Sequence, residues 1–281
     1  ILTKRLLLAG TTRARSALPN FTASLRQNTS TNIWERMWDA KYLRNLSMTL
    51  QMSEVVSLYD FTGTSLIPWA SAGHHCYAYD IQHTGEVRRY AGGGRVNLLP
   101  ADLHTPSVLA EIVARHSGSA VFLSAYPVCT DLAVSGARHF VSKREIDPEF
   151  QRKAAMWAVW CAEAGHRLGC PWYLENPVSV LSTLWRKPDY TFHPYEYGGY
   201  LPADDIHPRW PRYISARDAY SKKTCLWTGG GFKMPPPRPV PCNSFGQSAQ
   251  WGKLGGRSLK TKNIRSETPR GFAEAVYKIN S

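Results

Sequence analysis

A chain of 281 residues, 43% hydrophobic and 20% charged, has the composition of a globular protein and can bury one large core, alone or with a small appendage. Its 34 Lys and Arg against 21 Asp and Glu leave a formal charge of +13, which favours a polyanionic partner, nucleic acid first, or else serves solubility alone. Six scattered cysteines without a CxxC pair argue against a zinc ribbon or a disulfide scaffold and make reduced thiols in a cytoplasmic setting the expectation, and no run approaches the ~20 apolar residues of a membrane span.

Residues 1–51 are rich in Ser, Thr, Asn and Arg, with no acid before Glu35. They read as a poorly structured arm, with a faint transit-peptide character or as an extension upstream of a start at Met52. One amphipathic helix is expected where Trp34, Met37, Trp38, Tyr42 and Leu43 fall at helical spacing.

From residue 52 the punctuation becomes regular. "VVSLYDF" predicts a strand, a Gly-containing turn follows, Leu66 to Ala72 predicts a short helix, and "HHCYAYDI" a second strand. "RVNLLPADL" comes next, then a helix from Pro106 to His116, the strand "AVFLSAYP", a long helix from about Pro148 to Leu168, and the strand "PWYLENP". Apolar strands alternating with helices predict a mostly parallel sheet covered on both faces, a doubly wound, Rossmann-like α/β core over 52–177. Residues 178–257, crowded with aromatics, Pro, Gly and charges, predict a small irregular recognition or insertion region. Residues 258–281 predict a closing helix with Pro269 in its first turn and Phe272, Val276 and Ile279 on one face.

In such a sheet, ligands bind beyond the carboxyl ends of the strands. The turn Asp60, Phe61, Thr62, Gly63, Thr64, Ser65 lies after the first strand, and Asp80 lies 20 residues beyond Asp60, at the end of the second. An acid there can take both hydroxyls of a ribose. Asp102, ending the next candidate strand, can accept from an adenine amino group. Strand ends and helix caps use Asp for purely structural reasons too, but three acids on three successive strand ends favour a nucleoside ligand. Without the remaining glycines of GxGxxG, a donor lacking phosphate, S-adenosylmethionine, fits better than NAD.

The fourth strand runs out in "YPVC", carrying Pro127 and Cys129, and the fifth in "YLENP", carrying Glu175 and Asn176. Alone, Cys129 could be a packing residue, a metal ligand or a nucleophile. A thiol and a carboxylate on neighbouring strand ends, beside a methyl donor, favour the nucleophile. His74, His75 and Cys76 make a poor joint metal set, because adjacent strand residues face opposite ways.

With these residues the chain resembles the C5-cytosine methyltransferases. Asp60 to Ser65 resembles that family's Asp-Phe-x-Gly-x-Gly motif with Ser65 for the last glycine, Pro127-Val128-Cys129-Thr130 its Pro-Pro-Cys-Gln, and Glu175-Asn176-Pro177 its Glu-Asn-Val, in matching order over 54–177. Glu-Asn-Pro and "KKTCLWTGG" are similar to enzymes of bacteriophages and prophages. The chain departs from the family at Val128, Thr130 and Pro177. It has no Gln-x-Arg-x-Arg motif, and the resemblance implies that Lys222 and Lys223 would replace its cationic function.

The resemblance implies an S-adenosylmethionine site at Asp60, Phe61, Thr62, Gly63, Thr64, Ser65, Asp80, Ile81, Asp102, Leu103 and Pro127, no metal, and a catalytic set of Cys129, Glu175 and Asn176. C5 of cytosine is too weak a nucleophile to take a methyl group directly, whereas a Cys129 thiolate added at C6 makes it enamine-like. Glu175 would hydrogen-bond at N3, as an acid or through a shared proton, and Asn176 would orient the loop or the base. The target base has to leave the stack. Arg138, Lys143 and Arg144, in a candidate closing loop, with Lys222, Lys223, Lys253, Arg257, Lys260, Lys262 and Arg265 are the expected phosphate contacts. DNA is the expected partner of a monomer in a bacterial or phage-infected cytoplasm. RNA is the alternative substrate, and a catalytically silent nucleic-acid-binding relative the alternative role.

Overall fold

The computed structural model describes residues 53–242, 254 and 258–281. The helix expected around Trp34 to Leu43, Lys253 and Arg257 lie outside the described residues.

Eight strands form one mixed sheet: β1 (Glu54–Leu58), β2 (His75–Asp80), β3 (Glu86–Arg89), β4 (Arg95–Pro100), β5 (Ala120–Ala125), β6 (Trp172–Pro177), β7 (Tyr190–Phe192) and β8 (Thr224–Gly229), in the order β3-β4-β2-β1-β5-β6-β8-β7. Strands β4, β2, β1, β5 and β6 are parallel, whereas β3, β8 and β7 each run antiparallel to their neighbours. Counted alone, the five parallel strands stand in the order third, second, first, fourth, fifth. That is the doubly wound order, and its switch point lies between β1 and β5.

The helices are α1 (Ile67–Ser71), α2 (Pro106–His116), α3 (Phe140–Ile146), α4 (Phe150–Leu168), α5 (Leu181–Leu184), α6 (Leu259–Ser266) and α7 (Arg270–Asn280). Adjacent strand residues serve opposite layers. Val56, Leu58, Leu123 and Leu174 pack with Leu109 and Ile112 of α2 and Ala154, Ala158 and Cys161 of α4. Val55, Phe122, Tyr173 and Leu226 pack with Trp69 of α1 and Phe272, Ala275 and Val276 of α7. Strands buried on both faces therefore read as unbroken apolar runs. At Gly165 a Cβ would meet Trp172 at 2.4 Å, so only glycine lets α4 lie this close to β6.

The structure departs from the expectations in three places. The charged edge strand β3 carries no apolar run and escaped prediction. The boundary at residue 177 does not divide the fold, because β7 and β8 come from 178–257 and extend the sheet beyond β6. Cys225, Leu226 and Trp227 are buried there, a strand signal masked by the prolines and glycines around it. The single closing helix is two helices, α6 and α7, broken at Glu267 to Pro269, and Ile279 is exposed while Phe272 and Val276 are buried.

Candidate active site

At the carboxyl end of β1 the chain turns sharply. Tyr59 has φ 58°, a left-handed conformation that costs a non-glycine residue about 1–3 kcal/mol, and its hydroxyl donates to the Leu103 carbonyl at 2.9 Å. The buried Asp60 carboxylate then organises the turn. Its Oδ1 accepts from Gly63 N at 2.7 Å and Thr62 Oγ1 at 3.2 Å, and its Oδ2 from Ser57 Oγ at 2.9 Å and Ser65 Oγ at 2.7 Å. With four protein donors, Asp60 shapes the turn and has little left to offer a ligand. Gly63, at φ 67°, takes the left-handed position for which glycine is suited.

Asp80, only 8% exposed, ends β2. Its Oδ1 accepts from Gln82 N at 2.8 Å. Burial pushes its carboxyl above the usual carboxylate range, against the pull of that N–H and of His83. Ile81 beside it is 69% exposed, an apolar surface next to a carboxylate. Asp102 is placed differently from the expectation: β4 ends at Pro100, and Asp102 is exposed in the turn entering α2, accepting from His104 N at 3.1 Å and Thr105 Oγ1 at 3.3 Å. The Leu103 side chain is buried in the core. Phe61 stacks on His83 at 5.9 Å, whose Nε2 donates to the Asp60 carbonyl at 3.0 Å.

The ends of β5 and β6 meet beside this turn. Tyr126 N donates to the Leu58 carbonyl at 3.0 Å, tying the β5 exit to β1 across the switch point. Pro127 is buried, and the partly exposed Cys129 heads a tight turn in which its carbonyl accepts from Leu132 N at 3.0 Å and Ala133 N at 2.8 Å. Asn176, 1% exposed, donates from Nδ2 to the Pro127 carbonyl at 3.0 Å, while its buried Oδ1 has no partner. Asn176 thus clamps the Cys129 turn. A two-stranded contact reinforces the clamp: Val134 N donates to the Val178 carbonyl at 3.1 Å, and Val180 N to that of Leu132 at 3.0 Å.

Glu175, with a side chain 10% exposed, has Oε1 3.8 Å from Lys222 Nζ. Burial pushes the Cys129 thiol above its ordinary value, and the Glu175 carboxylate adds to the rise. Lys222 and Arg265 oppose it. Burial and the carboxylate therefore outweigh the nearby cations at this thiol.

The remaining cations divide. Lys222 and Arg265 act electrostatically on the Cys129 thiol, whereas Arg138, Lys143 and Arg144 lie on Val134–Ile146 after it. There Lys143 is ion-paired to Asp131, and Arg144 Nη2 donates to Gln151 Oε1 at 3.5 Å. Lys223, Lys260 and Lys262 are exposed, and the Lys260 ammonium stands 5.9 Å from both the Trp210 and Tyr213 rings.

One buried acid carried no sequence signal. Glu267, between α6 and α7, accepts from Thr64 Oγ1 and from Trp210 Nε1 at 3.1 Å, and stands 3.4 Å from Arg209 Nη1. Burial raises its carboxyl above the usual range. It fastens the closing segment to the β1 turn.

Among the described residues no three His, Cys, Asp or Glu gather as a metal group, and no helix is long and apolar enough to cross a membrane. Compared with models of known families and with curated proteins, the chain matches none.

Proposed function

We propose that this chain is an S-adenosylmethionine-dependent cytosine-C5 methyltransferase acting on DNA. One observation carries the reading: Cys129, Glu175 and Lys222, from three separate segments, converge at the carboxyl edge of the sheet, beside the β1 turn. Thiols in other settings are packed away, as Cys76 and Cys161 are here. Cys129 is instead a partly exposed residue whose thiol feels a carboxylate and an ammonium, a setting that suits nucleophilic addition to an electron-poor ring.

The residues around the β1 turn fit the donor. Asp80 presents a carboxylate suited to vicinal hydroxyls, Ile81 an apolar face suited to a purine, and the self-satisfied Asp60 turn a rigid wall without the glycines a pyrophosphate needs. When bound, this donor supplies an electrophilic methyl group. Cys129, whose thiol is held up by burial, would pass its proton to solvent water as Sγ bonds to C6, and the displaced ring electron pair would make C5 the nucleophile. Glu175 shares a proton at N3 as charge builds on the ring. Once C5 carries the methyl group that the donor would supply, its proton would pass to water and the Cys129 sulfur would leave as thiolate, restoring the aromatic ring.

The deciding experiment incubates the full chain with methyl-labelled donor and separate DNA and RNA pools, followed by base-resolution mapping. Label in DNA as 5-methylcytosine supports the reading. Label in RNA alone makes the chain an RNA methyltransferase, and label in neither makes it a silent relative.

Two further outcomes are expected. Asp80→Ala removes charge-assisted hydrogen bonds worth roughly 1.5–3 kcal/mol, so calorimetry should find donor affinity weakened about ten- to a hundredfold. Unchanged affinity would move the ribose elsewhere. Lys260 and Lys262 are exposed and, among the described residues, paired with no carboxylate. If both neutralise phosphates, replacing them with Ala should flatten the log–log salt dependence of DNA binding by nearly two units, at about 0.9 per contact. The pattern of modified sites should stay the same. An unchanged slope would leave α6 a solvated face.

A further inference from the structure

Strand β8 runs antiparallel to β6, with Pro177 opposite Thr224 and Asn176 opposite Cys225. An antiparallel strand at this place brings its entry, rather than its exit, to the carboxyl edge where Glu175 and Cys129 stand. Lys222 lies in that entry. Its carbonyl accepts from Thr224 Oγ1 at 3.1 Å, fixing the backbone, and its Nζ donates to the Arg265 carbonyl at 3.1 Å while standing 3.8 Å from Glu175 Oε1. The Arg265 carbonyl belongs to the last turn of α6, where carbonyls lack intrahelical partners and the helix end carries partial negative charge. α6 is held in turn by Ile264, buried with Ile214, Tyr220 and Leu254.

We infer that Lys222 is a positioning residue through which α6 governs Cys129: the helix end grips the ammonium, and the ammonium sets the charge environment of the thiol and of Glu175. The charged groups acting on the thiol come from three segments, Glu175 of β6, Lys222 before β8 and Arg265 of α6. Lys222 alone of these also makes direct contact with both of the others. A helix whose Lys260 and Lys262 pair with no carboxylate among the described residues is thereby linked to the Cys129 sulfur. This purpose rests on Cys129 being the nucleophile. Its test does not, because alkylation reads thiol charge without any methylation, so a failed methylation assay and a failed alkylation test point to different errors.

The experiment is iodoacetamide alkylation of the full chain across pH, with Cys129 followed by peptide mass spectrometry. Loss of the ammonium raises the thiol further, so Lys222→Met should slow alkylation at pH 8 by about tenfold, one pKa unit. Lys222→Arg should return the rate to within about threefold of the original if the role is one of charge. Ile264→Ala, loosening α6, should slow it by a smaller factor, and the Lys222→Met, Ile264→Ala double variant should be no slower than Lys222→Met. Should either variant lose its cooperative melt, Lys222→Gln or Ile264→Val carries the same comparison. An unchanged rate in Lys222→Met, an arginine variant as slow as the methionine one, or additive effects in the double variant would each overturn the inference.

Discussion

Replacing Cys129 with Ser is expected to abolish methylation, by roughly 10⁴-fold or more, while donor affinity stays within about twofold of the original. The separation follows from the geometry. Asp80, Ile81 and the Asp60 turn are built from β1 and β2, and none of them hydrogen-bonds the Cys129 side chain. The Cys129 carbonyl, which holds the turn through Leu132 N and Ala133 N, is backbone and survives the substitution, so a serine variant should melt close to the parent. Radiolabel incorporation checks the first claim and calorimetry the second. DNA containing 5-fluorocytosine offers an independent readout: it cannot lose its C5 substituent as a proton, so a donor-dependent band surviving denaturing electrophoresis should form with the parent chain and not with Cys129→Ser. Methylation at the parental rate by the serine variant would end the nucleophile assignment.

The pH profile carries the same chemistry. Because burial and Glu175 hold the thiol above its ordinary value, the thiolate fraction of the free enzyme keeps rising with pH through and beyond the usual thiol range near 8.5. The rising limb of kcat/KM, which reports the free enzyme, should therefore lie above that range and be absent from donor binding.

Much of the frame was legible because its signals are local. The runs "VVSLYDF", "HHCYAYDI" and "AVFLSAYP" are buried on both faces, so apolar content alone marks β1, β2 and β5, and the helix from Pro106 to His116 was bounded by its proline. What stayed hidden depends on partners far away in the chain. Asp60 reads as a ligand acid from its place after a strand, yet whether it is free depends on Ser57, Thr62 and Ser65, whose side chains turn onto it only once the turn is formed. Asp102 reads the same way and is taken up by the entrance to α2. Glu267 and Thr64 lie 203 positions apart, and no periodicity links them. Lys222 was visible as a cation, but its place beside Glu175 required β8 to insert antiparallel, a choice that no pattern within "KKTCLWTGG" announces. Thiol, carboxylate and clamp could be nominated from strand ends; the balance of charge around the thiol could not.

Glu175→Gln should move two observables in opposite directions. The substitution keeps the side chain's shape and an oxygen acceptor, and removes the negative charge 3.8 Å from Lys222. If Glu175 shares a proton with the ring at N3, losing the ionisable group should lower kcat by about 10²–10⁴. At rest, however, the Glu175 carboxylate is one of the causes that hold the Cys129 thiol up, and Lys222 is one that pulls it down. With the carboxylate gone and the ammonium left unpaired, the thiol falls toward its ordinary value, and alkylation of Cys129 at pH 8 should quicken by roughly three- to tenfold. An enzyme whose cysteine becomes more reactive while its turnover collapses has lost proton management at the ring, not its nucleophile. Single-turnover methylation and peptide-resolved alkylation of the same preparation check the pair. Slower alkylation together with lower turnover would mean that Glu175 supports the Cys129 turn structurally, and undiminished turnover would remove Glu175 from the reaction.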